Sequence, residues 1–372
     1  MSEPRFPESI AGPARAGRES LYAAIADFGG TPLRGDDGAL MIYVGAGDRV
    51  AVRHWLDIFP PLPDFTRFED TDVWTVSLDI PADARFDYKL AVSSHGRQRL
   101  KLDSLNPERA PNPWGLNSEL RGAAYSPPAW ARLNEGVPRG KVSRHEFSSA
   151  TFGEDRAVHL YRPAGGGASA LLVVHDGDDY LEFARFATVL DNLIAGGDIP
   201  PVAAVLCGPV DRLGEYRADF AHAAFIVDEV LPRARAETET DSAIAMGASL
   251  GGVASLHAAW AHPGVFDGLI LQAGSFVEKL GGPFHRGPVF APVVRFMRNF
   301  NDRPGVIPGR VHVSCGRYDG LINEAHAMAE KLAGAGVEVG FTESAAGHDW
   351  RAWRDLLRPA LMHVLGSREA ER

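Results

Sequence analysis

An α/β domain with a mostly parallel sheet, preceded by a small all-β sandwich, is the architecture that this chain of 372 residues predicts. Three observations carry that expectation. Short alternating apolar segments fill the first part of the chain, continuous apolar runs interleaved with helical patterns fill the second, and a Pro/Asn/Gly-rich stretch separates them. The boundaries that follow are an N-terminal segment 1–27, a sandwich 28–105, a linker 106–140 and an α/β domain 141–368.

In the sandwich, Ala39 to Val44, Val50 to Leu56, Val73 to Ile80 and Phe86 to Val92 read as strands. Trp74, Val76, Leu78 and Ile80 share one face, as do Phe86, Tyr88, Leu90 and Val92, which is the pattern of half-buried antiparallel strands. Trp55 and Trp74 are expected in the core. Arg97, Arg99 and Lys101 alternate onto one face of a further strand, either as a solvated edge or as a cationic surface for an anionic ligand. Asn106-Pro107 and Pro111-Asn112-Pro113-Trp114-Gly115 give the linker its composition.

The α/β part opens with a hairpin, Val142 to Phe147 and Ala157 to Tyr161. Ala170 to Val174 then forms an apolar run suited to a parallel sheet covered on both faces. Ser242 to Met246 reads as a short buried strand. It leads into Gly247-Ala248-Ser249-Leu250-Gly251, after which Val253, Leu256 and Trp260 stand at helical spacing. A strand that turns sharply into a helix needs glycine where a side chain would collide, and the turn lifts the serine hydroxyl clear of the sheet.

A nucleophilic serine needs a base, and the base needs an orienting carboxylate. Asp319 follows the strand Arg310 to Cys315, and His348 follows the strand Val337 to Thr342, so acid and base come after the serine in that order. Glu324 is the reserve acid, and Asp349 suits the start of the next helix. The backbone N–H of Leu250 and that of Asp178, in the loop His175-Asp176-Gly177-Asp178-Asp179-Tyr180, are the candidate oxyanion donors. His175 supports that loop. Arg212, Glu215 and Tyr216 either line the pocket or, for the first two, pair to hold their own loop. Segment Gly281 to Asn301, with Phe284, His285 and Arg286, is expected to roof the pocket.

Composition narrows the remaining classes. A net charge of −10 argues against nucleic acid or an anionic membrane surface as partner. No apolar run is long enough to span a bilayer, and Met1 to Ser20 is polar without an apolar signal region, so a cytoplasmic protein is expected. Cys207 and Cys315 each end an apolar strand and read as buried thiols. Asp176, Asp178 and Asp179 lack the spacing of a calcium loop; no metal and no cofactor are expected. The oligomeric state stays open.

Several stretches resemble the esterase D-like group of α/β hydrolases, which includes enterochelin esterases, feruloyl and acetylxylan esterases and mycolyltransferases. They are His175-Asp176-Gly177, Arg212 to Tyr216, Gly247 to Gly252, His262 to Phe266, Gln272 to Phe276, and Gly347-His348-Asp349-Trp350 with Trp353. Leu102 to Pro107 and the Ig-like sandwich are similar to the domain that precedes the catalytic domain in enterochelin esterases. The resemblance implies an α/β-hydrolase fold and a serine esterase whose triad is Ser249, Asp319 and His348, with Trp350 beside the site. It also implies a small-molecule ester as substrate, either the trilactone of a (ferric) catecholate siderophore or a feruloyl or acetyl carbohydrate ester. A non-catalytic binding protein on the same frame is the reading from another class. Where the siderophore enzymes are expected to carry tryptophans after Phe276, this chain has Val277 to Gly282, a departure that bears on substrate rather than on ester chemistry.

Overall fold

The computed structural model describes residues 8–35, 38–54, 58, 60–281 and 286–366. Trp55, Leu56, Phe284 and His285 lie outside the described residues. The chain divides into two units. One comprises Met1–Ser126 with the short stretches Arg317–Gly320 and Ala345–Asp349; the other comprises Pro127–Gly316, Leu321–Ser344 and Trp350–Arg372.

The first unit carries nine described strands: β1 (Leu33–Gly35), β2 (Gly38–Val44), β3 (Arg49–Arg53), β4 (Thr66–Arg67), β5 (Val73–Leu78), β6 (Arg85–Ser94), β7 (Arg97–Lys101), β8 (Arg109–Asn112) and β9 (Gly115–Arg121). They form two antiparallel sheets, β1-β2-β5-β4 and β3-β6-β9-β8, with β7 paired to the far half of β6. Strand periodicity places the core. Trp74, Val76 and Leu78 from β5 meet Phe86, Tyr88, Leu90 and Val92 from β6 in one buried cluster. Ile42 and Val73 face the other way, into a second cluster closed by Ile10, Ala14, Leu21 and Ile25.

One expectation needs correction here. The segment 106–140 is not a plain linker, because β8 and β9 extend the sandwich to Arg121. Pro111 fits a strand there because β8 is at the sheet edge, where a missing N–H leaves no partner unsatisfied. The N-terminal segment, bounded in the sequence without any structure assigned to it, carries two helices. Helices Glu8–Ala16 and Arg18–Asp27 bury their apolar stripe against β2 and β5, although Gly12, Pro13 and Gly17 interrupt the pattern in the sequence.

The second unit is an eight-stranded sheet of β10 (Lys141–Ser149), β11 (Glu154–Arg162), β12 (Leu171–His175), β13 (Ala203–Cys207), β14 (Ala243–Ala248), β15 (Gly268–Gln272), β16 (Arg310–Gly316) and β17 (Glu338–Ser344). Their spatial order is β10-β11-β13-β12-β14-β15-β16-β17. β10 and β11 pair antiparallel, and β13 through β17 run parallel. Every residue of β12, β13, β14 and β15 is buried, which explains their uninterrupted apolar character. Cys207 and Cys315 are buried thiols, and burial pushes the Cys207 thiol up to about 12. Among the described residues no helix is long and apolar enough to cross a membrane.

Candidate active site

Ser249 follows the carboxyl end of β14 with φ 56° and ψ −120°, a region that non-glycine residues avoid. Its neighbours hold it there. Its N–H donates to the Gln272 carbonyl at 2.9 Å, and its own carbonyl accepts from Gly252 at 3.1 Å and Ser275 at 3.0 Å. A Cβ at Gly247 would collide with the backbone carbonyl of Gly251, so the first glycine of the pentapeptide is a steric requirement. The Ser249 hydroxyl lies 3.3 Å from the Ser275 hydroxyl. Leu250 opens the helix Leu250–Ala261, whose first-turn N–H groups have no acceptor within the helix.

Gln272 does more than its backbone contact. Its side chain accepts from Tyr180 Oη at 2.7 Å and donates to the Trp353 carbonyl at 2.8 Å. The sequence marked Gln272 and Ser275 only as part of a motif; neither residue type announces such a role by itself. Trp350, expected beside the site, is buried and packs edge-on against Tyr180 at 5.1 Å and Trp353 at 4.7 Å.

His348 and Asp319 are brought together as expected from their strand ends. His348 Nδ1 and Asp319 Oδ2 are 2.7 Å apart and both side chains are fully buried. Asp349 is more than a helix-start carboxylate, because it forms an ion pair with Arg85. Glu324, the reserve acid, lies on the helix Ile322–Gly334 and lines a cavity of about 430 Å³. Phe276, Met297 and Met328 give that cavity an apolar wall, and Glu278, Arg286 and Lys331 supply charge. Gly281, Arg286 and Met297 of the segment expected as a roof are among its lining residues.

The loop after β12 is built around Asp176, at φ 57° and buried. Arg212 grips it with two parallel bonds of 2.7 Å, and its N–H donates to Tyr216 Oη at 2.9 Å. A Cβ at Gly177 would collide with the Leu206 backbone. Asp178 stands in the first turn of the helix Gly177–Glu182, its side chain outward and 2.9 Å from His159 Nδ1. The acidic trio is thus divided among different partners, and among the described residues no His/Cys/Asp/Glu group is placed to hold a metal ion. Burial, together with Asp176, pushes the Asp179 carboxyl up to about 7.

The pairing of Arg212 with Glu215 is a correction: Arg212 takes Asp176, and Glu215 takes Arg156 at 2.9 and 3.1 Å. Glu215 also accepts the N–H groups of Val210 and Asp211 and lies 3.2 Å from His222 Nδ1. Burial opposes its charge, yet the bonds from His222, Asp211 and Arg156 hold it down at about 2. His175 and Tyr216 are fully buried and edge-on at 5.2 Å. His175 Nδ1 lies 2.9 Å from Ser255 Oγ and 3.2 Å from the Met246 carbonyl, which ties it to β14 and the helix after Ser249. Neither ring presents a face to a ligand; both support the elements that carry Ser249 and Asp176. In the first unit, Arg97, Arg99 and Lys101 border a concavity of about 560 Å³ with Ser94 and His95.

A serine at a sharp strand-to-helix turn on a mostly parallel sheet gives the second unit the fold of an α/β hydrolase. Residues 149–364, more than half of the chain, match the family model described as "Putative esterase". The protein belongs to that esterase family and is a carboxylic ester hydrolase. It is 26% identical to the iron(III) enterobactin esterase of Dickeya dadantii (strain 3937), with 77% of this chain and 76% of that protein covered. Its fold is similar to that of the enterochelin esterase of Shigella flexneri, at a TM-score of 0.67 and 19% identity, covering 90% of this chain and 94% of that one. A ferulic acid esterase shares the fold over 61% of this chain and 98% of its own, at a TM-score of 0.52 and 19% identity.

Proposed function

We propose that the protein is a serine esterase in which Ser249 is the nucleophile, His348 the general base and Asp319 its orienting acid. The observation that carries this is the 2.7 Å bond between Asp319 and His348 Nδ1, which leaves Nε2 as the nitrogen to take the serine proton. Ser249 Oγ attacks the ester carbonyl as His348 removes its proton. The carbonyl electrons move onto the oxygen, which the N–H groups of Leu250 and Asp178 receive. Collapse expels the alcohol with the proton held by His348 and leaves an acyl-serine. Water then repeats the sequence and frees the acid.

The substrate we infer is a small-molecule ester of aromatic, anionic character, the trilactone of a catecholate siderophore. The relative named for iron(III) enterobactin supports this. A cytoplasmic site of action fits that substrate. A feruloyl ester is the second reading, favoured by the fold shared with a ferulic acid esterase. The aromatic platform that a glycan-binding sandwich would need is not supplied by Trp74, which is buried with Nε1 on the Gly45 carbonyl at 3.1 Å.

The test compares wild type with Ser249→Ala on p-nitrophenyl acetate and butyrate, then on catecholate lactones and feruloyl esters. Turnover that vanishes in the variant and is greatest on the lactones supports the reading. Equal background rates in both proteins on every ester would replace it with a binding protein on a hydrolase frame.

A further inference from the structure

Arg85 opens β6 and is 1% exposed. Its backbone N–H donates to the Ala345 carbonyl at 2.8 Å, and a parallel bridge joins it to Ala346. Its guanidinium pairs with Asp349. One residue therefore holds both ends of Ala345–Asp349, the five-residue stretch that contains His348. Two further guanidinium bonds are made inside the sandwich, Nε to Glu119 Oε1 at 2.6 Å and Nη2 to Asp87. Arg121 shares Glu119 at 2.7 Å, so the carboxylates of this buried group are met by two arginines.

The next residue of β6 holds the companion stretch. The Phe86 ring lies 5.3 Å from the Tyr318 ring, and the Tyr318 N–H donates to the Ala346 carbonyl at 2.9 Å. Asp319 itself bridges to Ile58. A Cβ at Gly347 would stand 3.0 Å from Phe86 Cβ, so the loop can lie this close to β6 because it is built of Ala, Ala and Gly. Burial works against the Arg85 charge, but Asp349, Asp87 and Glu119 outweigh it and raise its pKa well above the usual arginine range.

We propose that Arg85 is a positioning residue for ester hydrolysis, fixing His348 through the Ala345 carbonyl and the Asp349 carboxylate. The proposal rests on the reading of His348 as the general base. A buried ion pair is weak evidence for stability, since apolar side chains fill the same space at no greater cost. What the arginine supplies that they cannot is a set position for the residue next to His348. Displacing a catalytic group by about 1 Å costs about 100-fold in rate.

The experiment measures kcat and KM for p-nitrophenyl butyrate on wild type, Ser249→Ala, Asp349→Asn, Arg85→Lys, the double variant of the last two, and Asp87→Asn. Folding is checked by circular dichroism and thermal unfolding. Asp349→Asn is nearly isosteric and guards against a result that only reports misfolding. The expected outcome is a kcat about 10- to 100-fold lower in Asp349→Asn and Arg85→Lys, with KM within about threefold of wild type. The double variant should be no slower than the slower single one, because both remove the same contact. Asp87→Asn, which breaks the cluster away from the loop, should lower the melting temperature and keep kcat within about threefold. A folded Asp349→Asn with wild-type kcat, or a loss confined to KM, would overturn the proposal while the Ser249-dependent esterase stands. Equal rates in wild type and Ser249→Ala would overturn both.

Discussion

Arg212 and Asp176 meet through two parallel bonds of 2.7 Å, and that pair fixes the turn whose next residues lead to the proposed oxyanion donor. Asp176 is buried, whereas the Arg212 side chain is partly exposed. Replacing Arg212 with Lys keeps the charge and loses the planar fork. We expect Arg212→Lys to cost about 1–3 kcal/mol, read as a lower urea midpoint. Hydrolysis should slow by about tenfold, mostly in kcat, because one donor of the oxyanion pair loses its support.

Ser249 is held at a positive φ that costs about 1–3 kcal/mol for a residue with a side chain. Ser249→Gly should therefore melt at a higher temperature than wild type while losing hydrolysis altogether. Gly247→Ala should do the reverse of stabilise, since its new methyl has only the Gly251 backbone to move. A lowered melting temperature in Ser249→Gly would mean that the serine is unstrained.

Glu215 separates a structural hub from a substrate contact. Glu215→Gln leaves Arg156 and His222 without the charge they face, and should cost about 3–5 kcal/mol at neutral pH. Its folded pKa is below that of the unfolded chain, so its contribution is present above the usual carboxylate range and is lost as pH falls toward about 2. KM on p-nitrophenyl butyrate should be unchanged. A KM rise of tenfold with unaltered stability would instead put Glu215 in the substrate pocket.

Buried histidines make the fold acid-sensitive. Burial lowers His175 to about 3 and both His257 and His312 to about 4. As pH falls below about 6.5 the unfolded chain takes up protons on all three while the native state does not, so stability drops with pH. Asp179 acts in the opposite sense, since its raised pKa lets the native state hold a proton that the unfolded chain has released. Burial raises Asp103 in the same sense, but three histidines outweigh two carboxyls, and the urea midpoint at pH 5 should lie below that at pH 7.5. His257→Phe, in a ring cage with Phe220 and Phe296, should flatten that slope.

Much of this was legible in the sequence, for local reasons. Phe86 to Val92 alternates because one face of β6 is core, and Gly247 to Gly251 declares the turn because the backbone there tolerates no side chain. Asp319 and His348 could be ordered because each follows an apolar strand. The partners of Arg212 and Arg85 were not legible. Arg212 had an acid three residues away in Glu215, yet pairs with Asp176, 36 residues distant. Arg85 stands just before the strand read at Phe86 to Val92 and drew no role from its neighbours, and Asp349 lies 264 residues further on. Contacts of that separation follow from topology, which residue spacing does not encode. The strands β8 and β9 were hidden by turn residues that suit a sheet edge as well as a loop.

The edge strand β7 pairs with β6 alone among the described residues, and all five of its side chains are exposed. A bare strand edge is an invitation to another chain, and Arg97, Arg99 and Lys101 are an obstacle to accepting it. Two molecules approaching edge to edge would have to bring six cations together. In a protein whose overall charge is negative, this row is a local patch of the opposite sign that sets one edge against its own copy. Making the row neutral removes that obstacle and leaves the strand edge open to pairing.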